Sequence, residues 1–486
     1  MTVFTDRGEY AYEIQKTAML FFPEARVKDD RGDPDRVELF GSPDRIVCAV
    51  YQGGELVLKK EEPPRDPENT EHSLCYSLFT ALASLTGETP PWGMLTGVRP
   101  TKLMTAKIKQ LGEEGALSYF TDRLLVSPEK AELARSVAGT EKEITGRIPD
   151  GTYSLYVSIP FCPTRCSYCS FISHSVDSAK KLIPDYLEVL KSEIAGSVAA
   201  ARALGLSCYS VYIGGGTPTV LTARQLADLM ERVSSAVAAD GPAEFTVEAG
   251  RPDTITREKL RALREYGADR ISVNPQTFSQ KVLDAIGRRH TPEQTEEAFL
   301  AARDEGFKNI NMDLIAGLPG DSADSFAAGL NKALSLSPES VTVHTLALKR
   351  SARLVTGEDG QDPPALSCPA AECAKMVGHA LTTLPAAGYP PYYMYRQSRS
   401  VGNLENTGFA KKGYECVYNI VMMEETHTVI GAGAGAVTRL TDGAGDIKRI
   451  CNHKYPFEYI GRFDGDGKNA GISEFYSRRA ASEETE

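Results

Sequence analysis

From residue 151 onward the chain has a regular rhythm. Short β-branched, apolar runs alternate with longer stretches whose apolar positions recur at helical spacing. The runs at 154–159, 209–213, 244–247, 270–273, 309–314 and 340–346 predict strands, and the stretches at 180–204, 223–239, 257–266, 292–305 and 322–336 predict helices. Strands separated by helices of this length make βαβ units and a parallel sheet. Six strands are too few for an eight-stranded closed barrel. The expected fold is therefore α/β, an open partial (β/α)6 barrel over residues 151–385.

The flanks break this rhythm. Residues 1–150 read as an α+β domain, with strands at 37–40, 45–51 and 55–60 and a Gly53-Gly54 hairpin signal between the last two. A charged, Pro-rich stretch at 61–69 leads into helical patterns at 72–85, 101–111 and 128–138. Past residue 386 the alternation stops, and Tyr/Pro-rich (388–393) and Gly-rich (431–435) segments take over. Residues 386–486 are expected to form a C-terminal α+β region that covers the substrate, with a frayed polar end from residue 477.

Composition narrows the function. The 486 residues carry 54 Lys+Arg against 65 Asp+Glu, a net charge of −11. That argues against a general nucleic-acid or membrane-surface binder, which needs basic patches. No apolar run reaches the eighteen residues of a membrane span, and the first residues lack a basic-then-apolar leader. Ten cysteines, mostly isolated, fit a reducing cytoplasm better than a disulfide scaffold.

Three of those cysteines cluster, in Cys162-Pro-Thr-Arg-Cys166-Ser-Tyr-Cys169, directly after the first barrel strand. Thiolates are the ligands that iron–sulfur clusters select. Three of them cannot fill four irons, which leaves one position open for another ligand, as catalytic metal sites require. Two other readings compete: zinc on the three thiols plus His174, or three buried thiols without metal. Zinc sites usually show two separated ligand pairs, and no second CxxC or HxxxH occurs. Arg165 beside the thiols favours thiolate, although a loop arginine is more often only solvated.

The CxxxCxxC spacing, the lead-in Tyr156-Val-Ser-Ile-Pro-Phe161 and the barrel pattern together resemble the radical S-adenosylmethionine (SAM) superfamily. Within it they resemble the oxygen-independent coproporphyrinogen III oxidases. The stretch Thr96-Gly-Val-Arg-Pro-Thr-Lys102, the N-terminal extension and the CSYCSF context resemble that family's longer bacterial members, the HemZ-type coproporphyrinogen dehydrogenases. The resemblance implies a [4Fe–4S] cluster on Cys162, Cys166 and Cys169. It also implies SAM chelating the open iron and, on reduction, a 5′-deoxyadenosyl radical.

The same resemblance implies the SAM contacts. They are Tyr156; Gly214, Gly215, Gly216 and Thr217 of the GGGTPT loop; Glu248; Gln276; Arg288; and Asp313. Glycines let backbone approach a ligand closely, and barrel enzymes place their chemistry at the C-terminal ends of strands. Singly, Gln276, Arg288 and Asp313 each read more readily as turn or surface positions. Two positions depart from the family: Phe171 stands where a fourth cysteine is usual, and Ser158 where histidine is usual.

The implied reaction is oxidative decarboxylation of coproporphyrinogen III to protoporphyrinogen IX, with an external electron donor and an electron acceptor as partners. No residue is assigned to catalysis itself. A haem carrier that retains the barrel, with His344 or His427 as axial ligand, is one rival. A different radical SAM reaction such as methyl transfer is another. Four propionates need cations when buried, for which Lys349, Arg350, Arg353, Arg396 and Arg399 are candidates. Tyr392, Tyr393 and Tyr395 suit either a flat macrocycle or core packing. Gly431-Ala-Gly-Ala-Gly-Ala436 fits GxGxxA, but too little chain follows for a dinucleotide βαβ unit. A packing turn is expected there.

Overall fold

The computed structural model describes residues 1–171, 174–349, 351–356, 368–442 and 445–483, with side chains as far as 477. It divides into two units: residues 1–135 with 396–404, and residues 136–395 with 405–486.

The smaller unit is α+β. Its five-stranded sheet runs in the order Arg26–Val27, Thr2–Thr5, Arg36–Ser42, Arg45–Gln52, Glu55–Glu62. The last three strands are antiparallel. The turn between the final two holds Gly53 at φ 58° and Gly54 at φ 85°, the left-handed pair that a tight hairpin needs. Helices Ala11–Ala18 and Thr70–Thr86 supply the other half of a core built on Val3, Leu39, Val50, Leu74 and Leu78. Asn69 caps the second helix by accepting from the His72 amide, and Gly87 ends it at φ 70°.

The larger unit is organised by one eleven-stranded sheet. In chain order its strands are β1 (Thr152–Ile159), β2 (Ser207–Gly215), β3 (Glu244–Glu248), β4 (Arg270–Ser272), β5 (Asn309–Ala316), β6 (Ser340–Thr345), β7 (Pro391–Arg396), β8 (Glu405–Ala410), β9 (Thr428–Ala432), β10 (Val437–Thr441) and β11 (Ile447–Cys451). Strands β1 to β6 lie side by side in order, all parallel. This is the expected six-unit partial barrel. Each strand is joined to the next by one or more helices, among them Ile183–Ala203, Ala223–Val237, Arg257–Glu265, Pro292–Asp304 and Ala323–Ser335. Thr222 and Thr291 form full capping boxes with Gln225 and Gln294, and Thr256 and Ser322 cap two more helices. These caps fix where each loop above the strands ends and its helix begins.

The last hundred residues continue the sheet of the barrel on both sides. Strands β8 and β7 extend the sheet beyond β6, while β9, β10 and β11 extend it beyond β1. Strand β8 runs antiparallel to β6, and β9 runs parallel to β1. Their sequences hid them. Strand β8 reads Glu-Asn-Thr-Gly-Phe-Ala and is buried at every position, so it shows neither alternation nor an apolar run. Its polar groups are used internally: the Thr345 amide donates to Asn406 Oδ1 at 2.9 Å, and Thr345 Oγ1 donates to the Glu405 carbonyl at 2.6 Å. The tail is likewise not frayed throughout, since a helix spans Gly465–Glu483.

The Gly431–Ala436 segment is the packing turn expected. A Cβ on Gly433 would stand 2.7 Å from the Ser158 carbonyl oxygen, and one on Gly431 2.7 Å from that of Val437. The amides of Gly433 and Ala434 donate to Glu193 Oε2 (2.7 Å) and Tyr186 Oη (2.9 Å). Glu193 is buried and pairs with buried Lys468 at 2.6 Å. A strand, β10, follows the turn where a dinucleotide site would need a helix.

Candidate radical SAM site

Chain direction brings the predicted residues to one end of the barrel. The cysteine loop leaves β1, the glycine turn leaves β2, Glu248 is the last residue of β3, and Gln276 follows β4. Asp313 differs slightly from expectation: it lies inside β5, paired with Thr342, rather than at the strand's end.

The cysteine loop and the glycine turn are sewn together. Phe161–Cys162 forms a short parallel pair with His174–Ser175. The Gly216 amide donates to the Ile159 carbonyl and the Thr217 amide to that of Phe161, both at 2.8 Å. Thr217 Oγ1 donates to Cys162 Sγ at 3.6 Å. A Cβ on Gly216 would fall 2.5 Å from the Phe161 carbonyl oxygen, and one on Gly214 2.8 Å from the Glu248 carboxyl. Both glycines are thus cradles that a side chain would fill.

Two arginines close on the central thiol. Arg288 Nη1 and Arg251 Nη1 each lie 3.9 Å from Cys166 Sγ. Arg288 is buried and also donates through Nη2 to the carbonyls of Gly250 and Asn274, at 2.6 Å each. The sequence suggested Arg288 as a SAM contact; here it hydrogen-bonds to the Cys166 thiol and to backbone carbonyls. Burial pushes the Cys169 thiol up to about 11, so ligation there must displace a tightly held proton. Arg165 is not merely solvated, because its Nη2 donates to the Ser351 carbonyl at 2.8 Å. The Leu354 amide donates to the Ser167 carbonyl, which ties the segment holding Lys349 and Arg353 to the cysteine loop.

A second group of residues at this end is acidic. Tyr212 Oη donates to Glu248 Oε1 at 2.7 Å. Burial, reinforced by the charge of Asp313, pushes the Glu248 carboxyl up to about 7 against the Tyr212 hydrogen bond. Asp313 is also raised by burial, but His344 and the amide of Asn311 outweigh this and hold it below its ordinary value. His344 Nε2 stands 3.8 Å from Asp313 Oδ2, and Asn311 Nδ2 donates to Asp313 Oδ1 at 2.7 Å. Gln276 sits at φ 66°, held by bonds to the Asp313 carbonyl and the Ile315 amide, both 2.9 Å, with its buried Oε1 lacking a protein partner. Tyr156 stacks on Tyr212 and Tyr418, whose rings are 4.3 Å apart. Sequence reading missed Tyr212, Tyr418, Asn274 and Arg251, because none belongs to a recognisable spacing.

Other candidates lie elsewhere. Arg396 and Arg399 fall in the segment that belongs to the smaller unit. Arg396 is buried there and donates to the carbonyls of Leu95, Gly97 and Asn403, so its fork is committed to the protein's own backbone rather than to a propionate. Arg350 is outside the described residues. Tyr392 and Tyr393 are core residues. His427 is buried at the start of β9, the end away from the cysteines. Ser158 Oγ donates to the Ala434 carbonyl at 3.0 Å, while Phe171 is 69% exposed.

The donor set fits an iron–sulfur cluster. The three cysteines are free thiols on one loop. Among the described residues no three His, Cys, Asp or Glu side chains are grouped as ligands of a single ion would be. In a four-iron cluster each thiolate takes a different iron, so convergence on one point is not required. The acidic side fits the sulfonium and ammonium of SAM by charge.

Comparison with known proteins agrees. Residues 156–332 match the Radical SAM superfamily. The chain is 38% identical over 406 residues, 82% of its length and 79% of the relative's, to the oxygen-independent coproporphyrinogen-III oxidase-like protein HemZ of Bacillus subtilis. The chain belongs to the radical SAM superfamily, in the oxygen-independent coproporphyrinogen III oxidase-like family. Its cofactors are those of the superfamily, a [4Fe–4S] cluster and SAM. Other members are the heme chaperone HemW of Escherichia coli, 31% identical over 64% of this chain and 76% of that one, and HemW of B. subtilis, 33% identical over 58% and 70%. The structure of coproporphyrinogen III oxidase (HemN) from E. coli shares the fold, with a TM-score of 0.52 at 24% identity over 68% of this chain and 73% of the other. Among the described residues no helix is long and apolar enough to cross a membrane.

Proposed function

We propose that the protein converts coproporphyrinogen III to protoporphyrinogen IX without oxygen, by oxidative decarboxylation of two propionates. The observation that carries this reading is the two-sided site: thiols backed by arginines on one side, and Glu248, Asp313 and Gln276 on the other, at one end of one barrel. When bound and reduced, the cofactor pair supplies a deoxyadenosyl radical able to take hydrogen from a propionate β-carbon. The chain's own part is to hold and orient. Lys349 and Arg353, on the segment tied to the cysteine loop, are the described cations suited to the remaining propionates. The electron donor, and the acceptor that takes the electron left after carbon dioxide departs, are separate partners. Ten free thiols support a reducing compartment, the cytoplasm.

One second reading has specific support. The heme chaperone relatives, together with Phe171 in place of a fourth cysteine, favour a haem carrier. Of its two candidate ligands, His344 alone lies at the cofactor end, and it already faces Asp313. One assay separates the readings: reduced protein incubated with SAM and coproporphyrinogen III. Protoporphyrinogen IX with carbon dioxide is the expected product. Tight haem binding with no turnover would replace the enzyme by the carrier, and a methylated product would place the protein in another reaction class.

A further inference from the structure

Arg251 belongs to no motif, yet it is placed with unusual care. It follows β3 and is only 3% exposed. Asp253, two residues on, grips it through both carboxylate oxygens: Nε to Oδ1 and Nη2 to Oδ2, each 2.9 Å. That fork fixes the guanidinium plane and leaves Nη1 as the free edge. Nη1 is aimed into the cysteine loop, 3.2 Å from Thr164 Oγ1, 3.4 Å from the Thr164 carbonyl oxygen and 3.9 Å from Cys166 Sγ.

Burying a guanidinium is costly, and burying two against one thiol is more so. Arg288 is the second; it hydrogen-bonds to Cys166 and to two backbone carbonyls, and feels Asp253 only through space. A neutral thiol repays little of that cost. A [4Fe–4S] core on three thiolates is anionic and gains a further negative charge on taking an electron. A cation at the ligand sulfur therefore favours the reduced state more than the oxidised one. Net charge and hydrogen bonds to the sulfurs are the known levers on cluster potential, and residues behind the ligands exert them.

We propose that Arg251 sets the reduction potential of the cluster by donating from Nη1 to the Cys166 sulfur, with Asp253 both aiming that donor and partly neutralising its charge. The step affected is a one-electron reduction by an external low-potential donor, with no proton or bond rearrangement in the protein. The inference rests on the cluster and not on the identity of the substrate.

The test is an anaerobic redox titration of the reconstituted protein without SAM, followed by electron paramagnetic resonance, on wild type, Arg251→Gln, Arg251→Lys and Asp253→Asn. Iron and sulfide are counted in each. Arg251→Gln is expected to lower the reduced-to-oxidised ratio at fixed poise about tenfold, which is about 59 mV for a one-electron couple. Arg251→Lys, which keeps the charge, is expected to recover most of that loss. Asp253→Asn keeps an Oδ1 acceptor for Nε, so the donor stays aimed while the masking charge is removed, and the ratio is expected to move the other way. A structural disturbance would shift both sites in the same direction, so parallel shifts overturn the proposal, as does an unchanged potential in Arg251→Gln at full cluster content. Should Arg251→Gln fail to hold a cluster, Asp253→Asn decides: a raised ratio supports the proposal, and an unchanged or lowered ratio overturns it. Wild-type protein without iron and sulfide would instead defeat the cluster reading itself.

Discussion

The two sides of the site differ in charge and in how they are built. The cysteine side is cationic: Arg251 and Arg288 are buried against Cys166, Cys162 and Cys169 are half-buried, and the glycine turn is bonded to the loop that carries the thiols. The other side is acidic and built on strands, with Glu248 and Asp313 half-buried and linked to Tyr212, Asn311 and His344. The difference in sign suits the two cofactors of the superfamily. Buried cations suit an anionic cluster, whereas carboxylates suit the sulfonium and ammonium of SAM. A single undivided pocket of either sign would penalise one of the two cofactors.

The largest effect should come from removing the reason for the cationic side. Cys162→Ala, Cys166→Ala and Cys169→Ala should each abolish the cluster, leaving anaerobically reconstituted protein colourless and without stoichiometric iron and sulfide. Cys208→Ala and Cys451→Ala should retain it, because Cys208 is a core thiol and Cys451 lies at the end of an edge strand. Stoichiometric zinc without sulfide in the wild type would remove the basis of the comparison.

A smaller effect should follow from forcing the seam between loop and turn. Gly216→Val places its Cβ where the Phe161 carbonyl oxygen stands, 2.5 Å away, so the cysteine loop must shift. Such overpacking typically costs about 1–3 kcal/mol. Iron content after reconstitution should fall several-fold while the circular dichroism of the barrel stays. Full iron content in this variant would show that the turn does not support the loop.

Much of this was legible beforehand. The six barrel strands and five intervening helices could be read because each strand is a β-branched run and each helix an amphipathic one, the two periods that sequence shows directly. The thiols and the glycine turn could be read because their spacing is local. What stayed hidden depends on distance in sequence. Arg251 reaches Cys166 across 85 positions, and Tyr212 reaches Glu248 across 36, so neither pairing leaves a local pattern. Strand β8 hid behind polar residues whose partners are in β6, and Arg396 looked like a surface cation until its carbonyl partners at Leu95 and Gly97 came into view.

The finest test of the comparison is the protonation of its acidic side. Burial raises the Glu248 carboxyl to about 7 from an ordinary value near 4.5. In the free protein the neutral acid is therefore the favoured form through mildly acidic pH. Its contribution to stability is present below pH 4.5 and is lost as pH rises through about 7. SAM carries a sulfonium and an ammonium, so it should prefer the ionised carboxylate and drive its proton off. SAM affinity should then rise with pH up to about 7, by at most about tenfold per pH unit, and level off above it. Glu248→Gln removes one charge-assisted contact, typically about 1.5–3 kcal/mol, and should weaken binding about tenfold or more at pH 8. The same change should flatten the pH dependence and leave the cluster spectrum intact. Thermal melts of the SAM-free protein supply the opposite sign: the variant should gain on the wild type between pH 5 and pH 8, because only the wild type must bury a developing charge. Calorimetric titration of SAM at pH 6, 7 and 8 is the measurement. A wild-type affinity that ignores pH, or a slope that survives in Glu248→Gln, would place the titrating group elsewhere. Glu248 would then be a structural acid held by Tyr212.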